Sequence, residues 1–191
     1  MNTLNRWFVL SAAFTLAAGG ALPAAEPASP APGWVDFGTL TPAAEGKFVE
    51  VNLSEGMLKF AATLAAKQEP EASGLLQNLR HVRVNVLDLN DANRVATVGQ
   101  VKAIRQRLAA EGWAPIVSVR ESPKGDDVQI YAKMRGEEAI EGLVVTVIEG
   151  DREVVLVNVV GDIKPEQIAT LAEHYDIKPL KHFQPAKPKA T

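Results

Sequence analysis

With no cysteine in its 191 residues, the chain must find any reactive chemistry among oxygen, imidazole and amine side chains. Asp88-Leu89-Asn90-Asp91-Ala92-Asn93 is the densest oxygen cluster. A calcium loop needs oxygens at alternate positions, a central Gly and a distant bidentate Glu. Asp88 and Asn90 fit that spacing, but Ala92 breaks it and the Gly is missing. A strand end, an Asx turn and a helix N-cap call for these same residue types, and that is the reading the spacing favours.

The histidines are His81, His174 and His182, and only His174 has carboxylates beside it, Glu173 and Asp176. On a helix, neighbours at i−1 and i+2 do not share a face, so this trio is not a metal pair. His174 reads instead as a favourable charge near a helix C-terminus. None of the serines lies in a Gly-x-Ser-x-Gly elbow or a Ser-x-x-Lys pair. The run Gly136 to Gly142 (GEEAIEG) carries acids where a phosphate loop would present amides. Glu137, Glu138 and Glu141 could act as paired glycosidase carboxylates, but they also suit a solvated strand connection. The absence of cysteine removes thiolate nucleophiles, Cys-ligated zinc, disulfides and a bacterial lipid anchor. No catalytic residue, cofactor site or metal site is assigned.

Around these residues the chain has a clear layout. Arg6 is followed by Trp7 to Leu22, 16 residues without a charge, and then Pro23-Ala24-Ala25. A spanning helix needs about 20 apolar residues, so residues 1–25 read as a signal peptide cleaved after Ala24 or Ala25. That predicts an exported protein, in the periplasm or outside the cell. Residues 26–45 form a Pro- and Ala-rich spacer, with Trp34, Val35, Phe37 and Leu40 expected on the domain edge. Residues 46–177 form a single domain, and 178–191 a basic, disordered tail. Without residues 1–25 the chain has 19 bases against 23 acids, a net of −4. The four lysines after Asp176 leave residues 26–176 near −8, which argues against nucleic acid as a partner.

The domain is organised around Leu143 to Ile163 (LVVTVIEGDREVVLVNVVGDI), two β-branched runs flanking Glu149 to Glu153 with one Gly. This reads as a β-hairpin, apolar on both sides as befits the middle of a sheet. Before it, Phe48 to Leu53 alternates with Val49, Val51 and Leu53 inward, and Ser54 opens a helix from Glu55 to Lys67. That helix carries Met57, Leu58, Phe60, Ala61, Leu64 and Ala65 on one face and ends at Pro70. A short helix around 72–78 follows. His81 to Asp88 alternates as a strand. Asp91 is placed to cap a helix over 92–111 with the stripe Val95, Val98, Val101, Ile104 and Leu108, closed by Gly112. Strands at 116–121 and 128–134 come next. After the hairpin, Pro165 opens a last helix with Ile168, Leu171, Ala172 and Tyr175 on one face. The fold class is α+β: a two-layer sandwich with a mainly antiparallel sheet, a late four-strand meander, and helices on one face.

The run VVLVNVVGDIKPEQIATLAEHYDI after a Gly-containing hairpin, with the VRVNVLDL strand before a long helix, resembles the bacterial family filed as domain of unknown function 4252. The likeness spans about residues 46–177 and rests on hydrophobic pattern plus Gly161 and Asp162. It implies a small exported protein of this fold and transfers no catalytic residue. Lipid-anchored relatives carry a Cys that this chain lacks.

The reading that follows is a non-enzymatic envelope protein that binds another protein, in an accessory or signalling role, by strand addition at a sheet edge. Membrane contact would be at most peripheral, through the basic tail. The alternatives are a small-molecule or lipid carrier, and a hydrolase whose site is assembled from Asp88, Asp91, Glu137 and His174.

Overall fold

The computed structural model describes residues 31–121, 125–136 and 139–164. In chain order these form β1 (Phe48–Ser54), α1 (Glu55–Ala65), α2 (Pro70–Asn78), β2 (Leu79–Asp88), α3 (Arg94–Ala110), β3 (Ala114–Arg120), β4 (Asp127–Arg135), β5 (Ala139–Glu149) and β6 (Glu153–Ile163). The predicted last helix, the leader and the basic tail lie outside the described residues.

All six strands join one sheet in the order β1-β2-β6-β5-β4-β3, every pair antiparallel. The expected α+β class and the late meander are both present. The hairpin lies at the centre: β5 runs on to Ala139 and β6 to Ile163, with Gly150 at φ 49° in the turn between them. Gly161 is needed where β6 passes β2. A Cβ there would fall 2.6 Å from the Asn78 carbonyl oxygen and 2.8 Å from the Leu79 Cα.

The first face of the sheet is covered by α3, which ends at Gly112 (φ 77°) as a left-handed C′ residue should. Residues 33–40 lie in the same layer. Val35 and Phe37 join Val101, Ile104, Leu108, Trp113, Val144 and Leu156 in one core cluster. On the second face, Leu58 of α1 and Leu75 and Leu76 of α2 cluster with Leu53, Val82 and Val159. The helix layer is therefore thick on one side and has a partial counterpart on the other.

Two predicted stripes are shifted. In α3 the inward residues are Thr97, Val101, Ile104, Arg105 and Leu108, while Val95 is 83% exposed. Val95 is two residues from Thr97, about 200° around the helix, so it cannot share that side. In α1 only Leu58 and Ala62 are buried, one turn apart, and Met57, Phe60 and Leu64 face outward. The expected helix from Glu55 is present as α1 but stops at Ala65, and after a link over 66–69 Pro70 occupies the first turn of α2.

Candidate functional site

The first face is the more deeply buried, although it carries polar residues among its apolar core. On the first face lie Arg83, Asn85, Asn158 and Thr146, and the last three are 1%, 0% and 0% exposed. On the second face, the register lines up Val49, Val86, Val155 and Val147 in one row and Val51, Val84, Val157 and Val145 in the next. All eight remain half-buried except Val51, which is exposed. These valines form a partly open apolar strip across the second face.

The polar residues of the first face are mostly consumed by structure. Asn158 accepts from the Val35 amide at 3.0 Å and donates to the Gly33 and Leu143 carbonyls at 3.0 and 3.2 Å. It thereby ties residues 33–40 onto the sheet. Gln100 of α3 donates to the Phe37 carbonyl at 2.6 Å, and Arg107 to that of Asp36. Trp34 meets His81 edge-on at 4.4 Å, and the Arg83 guanidinium lies 5.6 Å from the Phe37 ring centre. Burial, and then the Arg83 charge, hold the His81 imidazole below its ordinary pKa.

The charged groove on this side runs between α3 and the turns at the β4 and β5 ends. Its volume is about 630 Å³, and Arg94, Lys102, Arg120, Asp127 and Asp151 supply its charges. Arg105, 7% exposed, reaches from α3 beneath it to Asp127 at 3.0 Å and to the Thr146 hydroxyl at 2.9 Å. Arg120 meets the same carboxylate from β3 at 3.5 Å, and Arg94 pairs with Asp151. Both acids are thus already neutralised by arginines. Tyr131 donates to Gln129 at 2.5 Å, and burial pushes its pKa up further from the neutral range. The groove offers charge but no nucleophile with a base beside it.

Asp88 accepts from the Lys47 amide at 2.8 Å, and its carbonyl accepts from the Asn93 side chain at 3.0 Å. Asn90 accepts from the Ala92 and Asn93 amides, and Asn93 accepts from that of Asn90. The cluster is a turn that launches α3, built by Asn90 and Asn93. Asp91, the expected cap, is exposed and takes no part in that network. No group of three or more His, Asp or Glu residues suited to a metal occurs among the described residues. Glu137 and His174 lie outside those residues, so the site postulated from Asp88, Asp91, Glu137 and His174 has no assembled counterpart among them.

Arg105 and Asp127 escaped the sequence reading, as did the clasp of Asn158 on residues 33–40. Arg105 falls at the helical spacing of the buried stripe, one residue from Ile104, and that was the available signal.

The two sheet edges differ. β3 carries Pro115 and a register break between Pro115 and Val117, both devices that blunt an edge. β1 pairs with β2 over seven consecutive residues without a break and contains neither Pro nor Lys. Among the described residues nothing pairs with its outer side.

The family model described as Domain of unknown function (DUF4252) matches residues 44–171. The chain belongs to this family. The match takes in the whole sheet and all three helices, and it leaves out residues 33–40, which Asn158 clasps to the core. No match was found among curated proteins or among solved structures. As a DUF4252 domain, the chain shares its fold region with the family, while the strap at 33–40 is added from outside the matched region.

Proposed function

We propose that this is an exported, non-enzymatic envelope protein whose domain captures a protein partner by strand addition to β1. The observation that carries this reading is the unblunted outer edge of β1, a seven-residue strand with Phe48 40% and Val51 36% exposed. An added strand would gain main-chain hydrogen bonds along β1 and side-chain contacts with alternate residues. The uncharged leader over 7–22 supports export, and the arginine-neutralised acids of the groove support a role without catalysis.

Proline substitution tests the edge directly. Successive residues of an antiparallel strand point their N–H groups to opposite sides. Of Val51→Pro and Asn52→Pro, one removes a bond to β2 and the other only an outward donor. We expect the outward variant to keep its fold and lose the partner that the unmodified protein captures from an envelope extract. Capture at an unchanged level by that variant would exclude β1 as the docking edge. A small molecule, with no protein, in the eluate would favour a carrier.

A further inference from the structure

Exposed apolar side chains gather at one edge of the sheet. Among the described residues, the exposed large hydrophobics Phe48, Val51, Met57, Phe60 and Leu64 all belong to β1 and α1, which adjoin in the chain. Val95, Val119 and Met134 lie singly on other elements. Single exposed residues need no explanation, whereas a gathering of them marks an interaction surface. The same edge has no strand on the outer side of β1 among the described residues.

The ladder fixes which groups that edge offers. The Asp88 amide donates to the Lys47 carbonyl at 3.0 Å. Lys47 therefore turns its main chain toward β2, and Val49, Val51 and Leu53 do the same at the antiparallel alternation. Phe48, Glu50, Asn52 and Ser54 turn theirs outward. Facing residues of an antiparallel sheet share a face, so a two-fold axis normal to the sheet must pass between a residue and its own copy. An axis at Val51 uses the whole of β1. It sets Phe48 against Ser54, Glu50 against Asn52 and Val49 against Leu53, so every outward residue faces another outward residue. It also brings Lys47 toward Glu55 of the copy, where the charges are opposite. An axis at Glu50 would oppose two carboxylates, which destabilises a strand pair. One at Asn52 would set Phe48 against Gly56, inside α1, and shorten the ladder. On the second face, the row Val145, Val157, Val84 and Val51 would run on into the same row of the copy.

We propose that the partner taken up by β1 is a second copy of this chain, paired antiparallel β1 to β1 about Val51, so that two sheets become one. The proposal rests on the reading of β1 as the docking edge and names its occupant. Self-complementarity carries it: one strand supplies both sides of every facing pair, with no like charges opposed. A strand pair alone is marginal in water. Met57, Phe60 and Leu64, on the helix that follows β1 directly, add apolar area beside the seam.

Sedimentation of the purified full chain over a concentration series should show a monomer–dimer equilibrium. Asn52→Pro removes an outward donor from each copy and should weaken the dimer about tenfold or more. The cysteine-free chain allows a second readout. Facing Cα atoms in a pair that is not hydrogen-bonded lie about 4.5 Å apart, within disulfide reach. Mild oxidation should therefore join Val51→Cys chains several-fold faster than Val119→Cys chains, whose site on β3 is exposed to the same degree, 37% against 36%. A monomer at every concentration would overturn the second copy, as would a dimer that crosslinks equally at both sites. If that monomer still captured another protein, and Asn52→Pro abolished the capture, the docking edge would stand and only its occupant would fall. Capture indifferent to Asn52→Pro would remove both readings. Should Asn52→Pro fail to fold, the Val51 and Val119 crosslinking rates decide for or against the second copy.

Discussion

Gly33 and Gly142 meet backbone to backbone, with no room for a side chain on either. A Cβ on Gly142 would lie 2.5 Å from the Gly33 Cα and 2.7 Å from the Trp113 ring. A Cβ on Gly33 would lie 2.1 Å from the Glu141 carbonyl oxygen, at a φ of 87° that already favours glycine. The strap over the first face is therefore fastened at its start by contact between two glycines. We expect Gly142→Ala to destabilise the fold by about 1–3 kcal/mol through overpacking, measured by urea denaturation. Gly99→Ala is the control of opposite sign. It lies inside α3 with nothing within 4 Å of a Cβ, so it should stabilise by about 0.4–1 kcal/mol.

Two buried asparagines on the first face predict opposite outcomes for one substitution. Asn158 satisfies one amide and two carbonyls, so Asn158→Leu orphans buried backbone groups and should cost about 2–3 kcal/mol. Asn85 is 1% exposed, and neither its Oδ1 nor its Nδ2 has a partner. Its carboxamide is a desolvation cost without return. Asn85→Leu should stabilise by about 1 kcal/mol or more. Denaturation midpoints of the two variants, moving in opposite directions, check the pair. A loss for Asn85→Leu would show that its carboxamide has a bonding role.

Arg105 links α3 to the β4–β5 pair through Asp127 and Thr146. Removing one member of a buried ion pair leaves the other uncompensated, at a cost of about 3–5 kcal/mol when both are fully buried. Asp127 is 18% exposed and keeps Arg120, so Arg105→Met should cost less, about 2 kcal/mol. Arg105→Met combined with Asp127→Leu should recover most of that loss. A double variant no better than the single one would show that the guanidinium acts through Thr146 instead.

The strands and their order along the chain were legible in the sequence because they depend on local signals. β-branched runs broken by Gly150, and the C′ position of Gly112, are of that kind. What periodicity cannot say is which side of an element is covered more deeply. Val49, Val51 and Leu53 were expected inward, and they do share a side, but it is the half-open one. Arg83, Asn85, Asn158 and Thr146 were given no place in the core, yet they lie on the face under α3 and the strap. Their burial depends on partners such as Val35 and Gly33, more than 100 residues from Asn158. Likewise, Asp88 ends a strand as expected, but the cap expected at Asp91 falls to Asn93, and the network that launches α3 runs through Asn90 and Asn93. The spacing of oxygens marks such a turn without saying which of them faces the backbone amides.

His81 provides a pH test of the strap. Its ring is packed edge-on against Trp34, its Nε2 is buried without a partner, and burial with the nearby Arg83 charge lowers its pKa below the ordinary 6.5. A lowered histidine pKa means that the unfolded chain binds the proton more tightly than the folded one. Stability from this group is therefore complete above about pH 6.5 and declines as the pH falls from there toward the folded pKa. Below the folded pKa the contribution is constant. Substituting His81→Leu should flatten stability across that window, as measured by urea midpoints between neutral and mildly acidic pH. Because Trp34 is the ring partner, its fluorescence should report the same transition. If the His81→Leu protein kept the full slope of the unmodified chain, the acid sensitivity would belong to carboxylates and not to His81.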